Sequence, residues 1–94
     1  MSGPDTYSNK YTNPYPGSEL VEQQSTDHTF KEKIRGLLVT STGNVVVRLR
    51  EDTHDITIPV YVPTNGSTEL RGYLIKILRS TDNGTTATVL CGLT

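Results

Sequence analysis

Three side chains of this sequence are suited to acid–base or nucleophilic work: His28, His54 and Cys91. An imidazole titrates near neutral pH and a thiolate is a nucleophile, yet each needs a second group held beside it to act. His54 stands in Glu51-Asp52-Thr53-His54-Asp55, an imidazole among carboxylates, and these are donor types that a divalent metal accepts. The spacing argues against a metal, because consecutive residues entering a strand point to alternate sides. The run also matches neither a calcium-binding loop nor a paired-histidine zinc motif. A solvated hairpin tip is expected there instead. His28 is expected to be a polar residue near a helix start. Cys91, set among apolar residues, is expected to be a small hydrophobe whose thiol pKa is raised by burial. No glycine-rich loop precedes a lysine and a helix, so no phosphate cradle is expected. The chain therefore reads as not an enzyme, with no catalytic residue, no cofactor and no metal.

Binding residues are the better prospect. Tyr7, Tyr11 and Tyr15 recur every four residues, but Pro14 and Pro16 forbid a continuous helix through them, so an extended or polyproline-like arm is expected. Tyrosine brings a large contact area, little entropy loss and a hydroxyl that tolerates a wet rim. Tyr7, Tyr11, Tyr15, Pro14 and Pro16 are thus the expected partner-binding residues. Arg48, Arg50, Arg71, Lys76 and Arg79 fall on expected strands, and small β-barrels with a basic face can bind single-stranded nucleic acid. Only Tyr61 and Tyr73 stand within those strands to stack on bases, and acids offset the charge, so nucleic acid is an alternative reading and not the first. Asn65-Gly66-Ser67 and Asn83-Gly84-Thr85 fit the N-glycosylation acceptor pattern, but both are also tight-turn signals, and the turn is expected.

The elements that must position these residues are set by composition and pattern. Nine Lys and Arg against ten Asp and Glu leave a formal net charge of -1, which gives no bulk field for DNA wrapping or anionic lipid. The longest apolar runs are three residues, as at 37–39 and 45–47, whereas a membrane-spanning helix needs about 20. The first residues, MSGPDTYSNK, carry no apolar signal stretch, so a soluble, unprocessed chain is expected. One cysteine excludes an internal disulfide framework, leaving packing or neighbouring subunits to hold the fold. Hydrophobic residues make up 33% of the 94 residues, and they are unevenly spread, six in residues 1–29 and 25 in residues 30–94. Two segments follow: an extended N-terminal arm, 1–25, and a small β-domain, 26–94.

From Arg35 onward, short β-branched runs alternate with turn residues, which is the pattern of an all-β domain. Strands are expected at residues 36–40, 45–50, 54–62, 68–79 and 87–93. Val45, Val47 and Leu49 should share one face, opposite Ile56, Ile58 and Val60 across a hairpin. The strand at 68–79 sets Leu70, Leu74 and Leu78 against Tyr73, Ile75 and Ile77. It should be central and covered on both sides, with a bend or bulge at Gly72. Val89, Cys91 and Leu93 should lie on one side of the closing strand. A short helical turn is expected over residues 27–34, where Phe30 and Ile34 fall four apart. The expected fold class is all-β, a small five- to six-stranded antiparallel sandwich or open barrel with an extended N-terminal arm.

The strand and turn signals come in a particular order. Thr26-Asp27 precedes Ile34-Arg35-Gly36-Leu37-Leu38-Val39, and Thr42-Gly43-Asn44 leads into Val45-Val46-Val47. Ile56-Thr57-Ile58-Pro59-Val60, Asn65-Gly66 and Ile75-Lys76-Ile77-Leu78-Arg79 follow, then Gly84-Thr85-Thr86-Ala87 before Val89 and Leu90. This ordered set, spanning residues 26–93, resembles the small spike base proteins of tailed-phage heads and of phage-like gene transfer agents. The chain differs from that pattern in a more charged hairpin, residues 48–55, and in having no aromatic at Leu93-Thr94. The resemblance implies a non-enzymatic virion component, made in the host cytoplasm, that sits on the capsid as a ring of identical subunits and carries a projecting spike or fibre. It carries over no active-site residue. The expected function is a structural virion protein of a phage, a head spike or fibre base or a capsid decoration subunit, which forms homo-oligomers and anchors through its N-terminal arm. Expected partners are capsid or other virion proteins, a spike or fibre protein and further copies of the chain, with no nucleic acid and no membrane. The alternatives are a small β-barrel nucleic-acid-binding protein and a tail or baseplate adaptor.

Overall fold

The computed structural model describes residues 18–94. They form strands β1 (Glu19–Leu20), β2 (His28–Val39), β3 (Gly43–Leu49), β4 (Asp55–Val60), β5 (Thr68–Leu78) and β6 (Val89–Leu93), with a single 3-10 turn, Thr81–Asn83, before the last strand. All six are antiparallel and lie in one open sheet in the order β1-β6-β2-β5-β3-β4. The all-β class is the expected one, realised as one curled sheet and not as a sandwich.

Valine and isoleucine, stiff at χ1 and suited to a pleated surface, fill the hairpin β3–β4. Its register runs from Gly43 opposite Val60 to Arg48 opposite Asp55. Val45, Val47 and Val60 are buried in the core, and Leu49, Ile56 and Ile58 pack on it, as the alternation requires. Asp52 N–H donates to Leu49 O at 3.2 Å to close the turn, with Glu51 held at φ 64. At residues 63–66, Gly66 N–H donates to Pro63 O at 2.9 Å and Asn65 takes φ 60, the reversal that Asn-Gly signals.

One cluster joins Phe30, Ile34, Leu37 and Val39 of β2 to Val45 and Val47 of β3, Val60 of β4, Ile75 and Leu78 of β5 and Val89 of β6. Strands far apart in the sheet share this core, so the sheet must curl around it. Residues 85–87 close the curl where β5 leaves the first half of β3 unpaired. Thr86 and Ala87 N–H donate to Asn44 O at 2.8 and 3.1 Å. Asn44 N–H donates to Thr86 Oγ1 at 2.8 Å, and Val46 N–H to the buried Thr85 Oγ1 at 3.0 Å. Gly43 permits this approach, since a Cβ there would lie 2.7 Å from Ala87 N. The result is a small open barrel.

Bulges overturn several expectations. Between the pairs Thr29–Ile77 and Ile34–Ile75, β2 advances five residues (29 to 34) while β5 advances two (77 to 75). Between Ile34–Ile75 and Gly36–Arg71, β5 advances four (75 to 71) against two on β2. The second bulge contains Gly72 at φ 95, the expected bend. The expected helical turn at 27–34 is therefore absent, and β2 runs through it. Phe30 and Ile34 are nonetheless both buried in the core, while Glu32 between them is exposed, because the bulge interrupts the regular alternation. The even alternation expected for 68–79 also fails. Leu70, Tyr73, Ile75 and Leu78 all pack on the core, because bulges shift the pleat, while Leu74 turns outward and is 43% exposed. In β6, Leu38 faces Cys91 and Val39 faces Val89, so Leu90 is bulged; Val89 enters the core and Cys91 and Leu93 turn to the opposite face. Ahead of β2, Glu19–Leu20 forms an edge strand and Val21 is buried in the core.

Candidate attachment site

The arm residues expected to bind a partner, Tyr7, Tyr11, Tyr15, Pro14 and Pro16, lie outside the described residues. What is described is the root that joins them to the barrel. β1 sets Glu19 opposite Gly92 and Leu20 opposite Cys91, and Val21 N–H donates to Leu90 O at 3.0 Å. Two ladder residues hold a segment weakly, and side chains complete the attachment. Glu19 Oε2 lies 2.7 Å from His28 Nε2, and Oε1 accepts N–H bonds from Lys31 at 2.8 Å and Glu32 at 2.9 Å. An ionised carboxylate only accepts, so Nε2 carries the proton. The two backbone donors belong to the β2 bulge, where they have no strand partner, and Glu19 satisfies them. Burial pushes the Glu19 carboxyl pKa up. The hydrogen bonds from Glu32, His28 and Lys31, with the His28 charge, outweigh this and bring it below its ordinary value.

The segment after β1 is pinned in the same manner. Gln24 presents its amide as a substitute strand, with Nε2 donating to Ala87 O at 2.9 Å and Oε1 accepting from Val89 N–H at 2.7 Å. Asp27 Oδ1 accepts from Ser80 N–H at 2.7 Å and from Asn83 Nδ2 at 3.3 Å. The Ser80 bond leads in lowering the Asp27 pKa; burial opposes it, and Asn83 and Arg79 add to it. Arg79 spans two carboxylates, with Nη1 2.6 Å from Asp55 Oδ2 and Nε 3.2 Å from Asp27 Oδ2. Nε lacks the alignment of a hydrogen bond, so the Asp27 contact is Coulombic. Arg48 Nε donates to the other oxygen of Asp55 at 3.1 Å.

The remaining sequence candidates are scattered. His54 is 88% exposed on the hairpin tip, with Thr53 Oγ1 at 3.1 Å and Asp52 Oδ1 at 3.9 Å. Both face the same ring nitrogen, Nδ1, whereas a proton relay needs its orienting and reacting groups on different nitrogens. Among the described residues no three His, Cys, Asp or Glu side chains are grouped to hold a metal ion. Cys91 is buried, and burial pushes its thiol pKa up, with Glu69 adding to the effect and a Ser18 hydrogen bond opposing it. Of the five expected strand cations, Arg48 and Arg79 are engaged by Asp55, and Arg71 by Glu69 at 2.8 Å. Arg50 and Lys76 line an open groove with Lys31, Thr29, Phe30 and Glu51. Tyr61 is 75% exposed at the end of β4 while Tyr73 packs on the core, so the two do not form a stacking platform.

Glu19, Gln24 and Asp27 were not expected as anchoring residues. Their segment has the composition of an arm, and each acts on backbone groups from elsewhere in the sequence. Comparisons with protein-family models, with curated proteins and with solved structures found no match.

Proposed function

We propose that this chain is a non-catalytic assembly subunit. It is a small β-barrel that associates with copies of itself and attaches through its N-terminal arm to a larger particle. In the form the sequence resemblance suggests, it is the base of a spike or fibre, or a decoration subunit, on a phage head. The observation that carries the reading is the fastening of the arm root. Glu19 accepts from the β2 bulge, Gln24 from β6 and Asp27 from Ser80, so tension on the arm passes into the barrel and not into a loose linker. Deleting residues 2–17 tests it. The barrel should keep its far-UV circular dichroism while the protein loses attachment to particles; a deleted protein that still attaches rules the reading out.

A second reading rests on the groove where Lys31, Arg50 and Lys76 meet, since none of these has an acidic partner among the described residues. It is a small barrel that binds single-stranded nucleic acid. Binding of oligonucleotides that falls steeply with salt supports it, and no binding at about 50 mM salt removes it.

A further inference from the structure

Two Asn-Gly pairs occur in the chain, Asn65-Gly66 before Ser67 and Asn83-Gly84 before Thr85. Their local chemistry is the same. Glycine has no side chain to hinder its own backbone nitrogen, which can attack the amide carbon of the asparagine before it. As that nitrogen–carbon bond forms and closes a cyclic imide, the bond to the side-chain nitrogen breaks, and the glycine N–H proton leaves with the ammonia. Water then opens the ring at either carbonyl, giving aspartate or its β-linked isomer. The sum is one amide and one water converted to one carboxylate and one ammonium ion, with no oxidant and no cofactor.

The tertiary structure makes the two pairs unequal. Asn65 lies in a run of exposed residues, 63–67, and among the described residues its side chain makes no hydrogen bond. The Gly66 N–H that must attack is held by Pro63 O at 2.9 Å, in a turn open to solvent. Asn83 is fastened. Its Nδ2 donates to Asp27 Oδ1 at 3.3 Å and to Ser80 Oγ at 3.2 Å, and since an ionised carboxylate only accepts, the nitrogen of the amide faces Asp27. Its backbone N–H donates to Ser80 O at 2.9 Å, and Gly84 N–H donates to Thr81 O at 3.2 Å. Thr85 follows, 1% exposed, with its Oγ1 accepting from Val46 N–H. Turning the Gly84 nitrogen onto the Asn83 amide carbon therefore breaks the bonds to Asp27 and Ser80 and moves a buried residue.

We propose that Asn65 is a modification site of the folded protein, converted by intramolecular deamidation with water as co-reactant, and that the clamp of Asp27 and Ser80 keeps Asn83 an amide. Conversion at Asn65 adds one negative charge to a chain of formal net charge -1, at an exposed turn outside the core. Conversion at Asn83 would set a second carboxylate against Asp27 and remove a donor that serves it, so the clamp also preserves the root of the arm.

Incubation of the full-length folded protein at mildly alkaline pH, then digestion and mass spectrometry of the peptides, reads each site by its amide-to-acid mass gain. In the folded protein Asn65 should convert faster than Asn83 by on the order of tenfold or more, because only the second needs a fastened segment to open. In denaturant, where both are Asn-Gly before a hydroxyl residue, the rates should converge. Asp27→Ala should speed conversion at Asn83 and leave Asn65 as it was. If that variant does not fold, the ratio of folded to denatured rates at each site of the unaltered chain decides alone. Equal rates at the two sites of the folded protein, a faster Asn83, or an Asn65 that stays intact while the denatured chain converts, each overturn the proposal. A difference that persists in denaturant overturns it too, by assigning the contrast to local sequence, and an Asn83 rate unmoved in folded Asp27→Ala removes the clamp.

Discussion

Glu19 Oε2 lies 2.7 Å from His28 Nε2, and this contact joins the edge strand that continues the arm to the first residue of the longest strand in the barrel. The other oxygen of the same carboxylate serves two N–H groups that the β2 bulge leaves without a strand partner. One side chain thus stabilises both the bulge and the root of the arm.

Replacing Glu19 with alanine leaves those donors unsatisfied and should cost about 1–3 kcal/mol. Glu19→Gln keeps an acceptor oxygen, loses the charge and should cost less. Urea denaturation of the three proteins at pH 7 gives the order.

Acid should act on the same contact. The folded-state pKa values of Glu19 and Asp27 lie below their ordinary values, so the unfolded chain binds protons more readily and stability falls as pH falls. The contribution is complete above the unfolded-state carboxyl pKa and is lost as pH drops through the lower folded-state values. Unfolding midpoints followed from about pH 6 to pH 3 should decline, and Glu19→Gln should flatten part of that decline. Equal slopes in the two proteins would show that Glu19 is not a source of it.

Thr85 is 1% exposed and its Oγ1 accepts the Val46 N–H at 3.0 Å where the sheet closes. Thr85→Val preserves shape and strands that donor, at a cost of about 1–3 kcal/mol. Amide hydrogen exchange at Val46 should speed up beyond what the global loss of stability explains.

Gly92 faces the core, with Ile34 Cδ1 2.9 Å and Phe30 Cε1 2.8 Å from where its Cβ would stand. Gly92→Ala should therefore overpack the barrel and cost about 1–3 kcal/mol, seen as a lower thermal midpoint.

Glu51 holds φ 64 in the exposed β3–β4 turn. Glu51→Gly removes the left-handed strain and adds entropy to the unfolded chain, and the first effect should exceed the second by about 0.5–1 kcal/mol. The thermal midpoint should rise, the opposite sign to every other substitution here.

Much of the barrel was legible in the sequence because local chemistry determines it. Alternating valines and isoleucines specify the β3–β4 hairpin and its buried face, and Asn65-Gly66 and Asn83-Gly84 specify reversals through the backbone angles they tolerate. The expected all-β class and the exposed tip at His54 follow from the same signals. What only the tertiary structure decided lies where the period of two breaks. A bulge shifts every later side chain to the other face, and apart from the bend that Gly72 marks on β5, the bulges on β2, β5 and β6 arise from how whole strands wrap a shared core. That is why Val89 and Cys91, two apart, occupy different clusters, and why residues 28–34 run as strand although Phe30 and Ile34 are spaced for either element. The anchoring of Glu19, Gln24 and Asp27 belongs to the same class. Each completes a backbone hydrogen bond whose donor is left unpaired only after the sheet has curled, so the polar segment that composition marks as an arm is in part an edge of the domain.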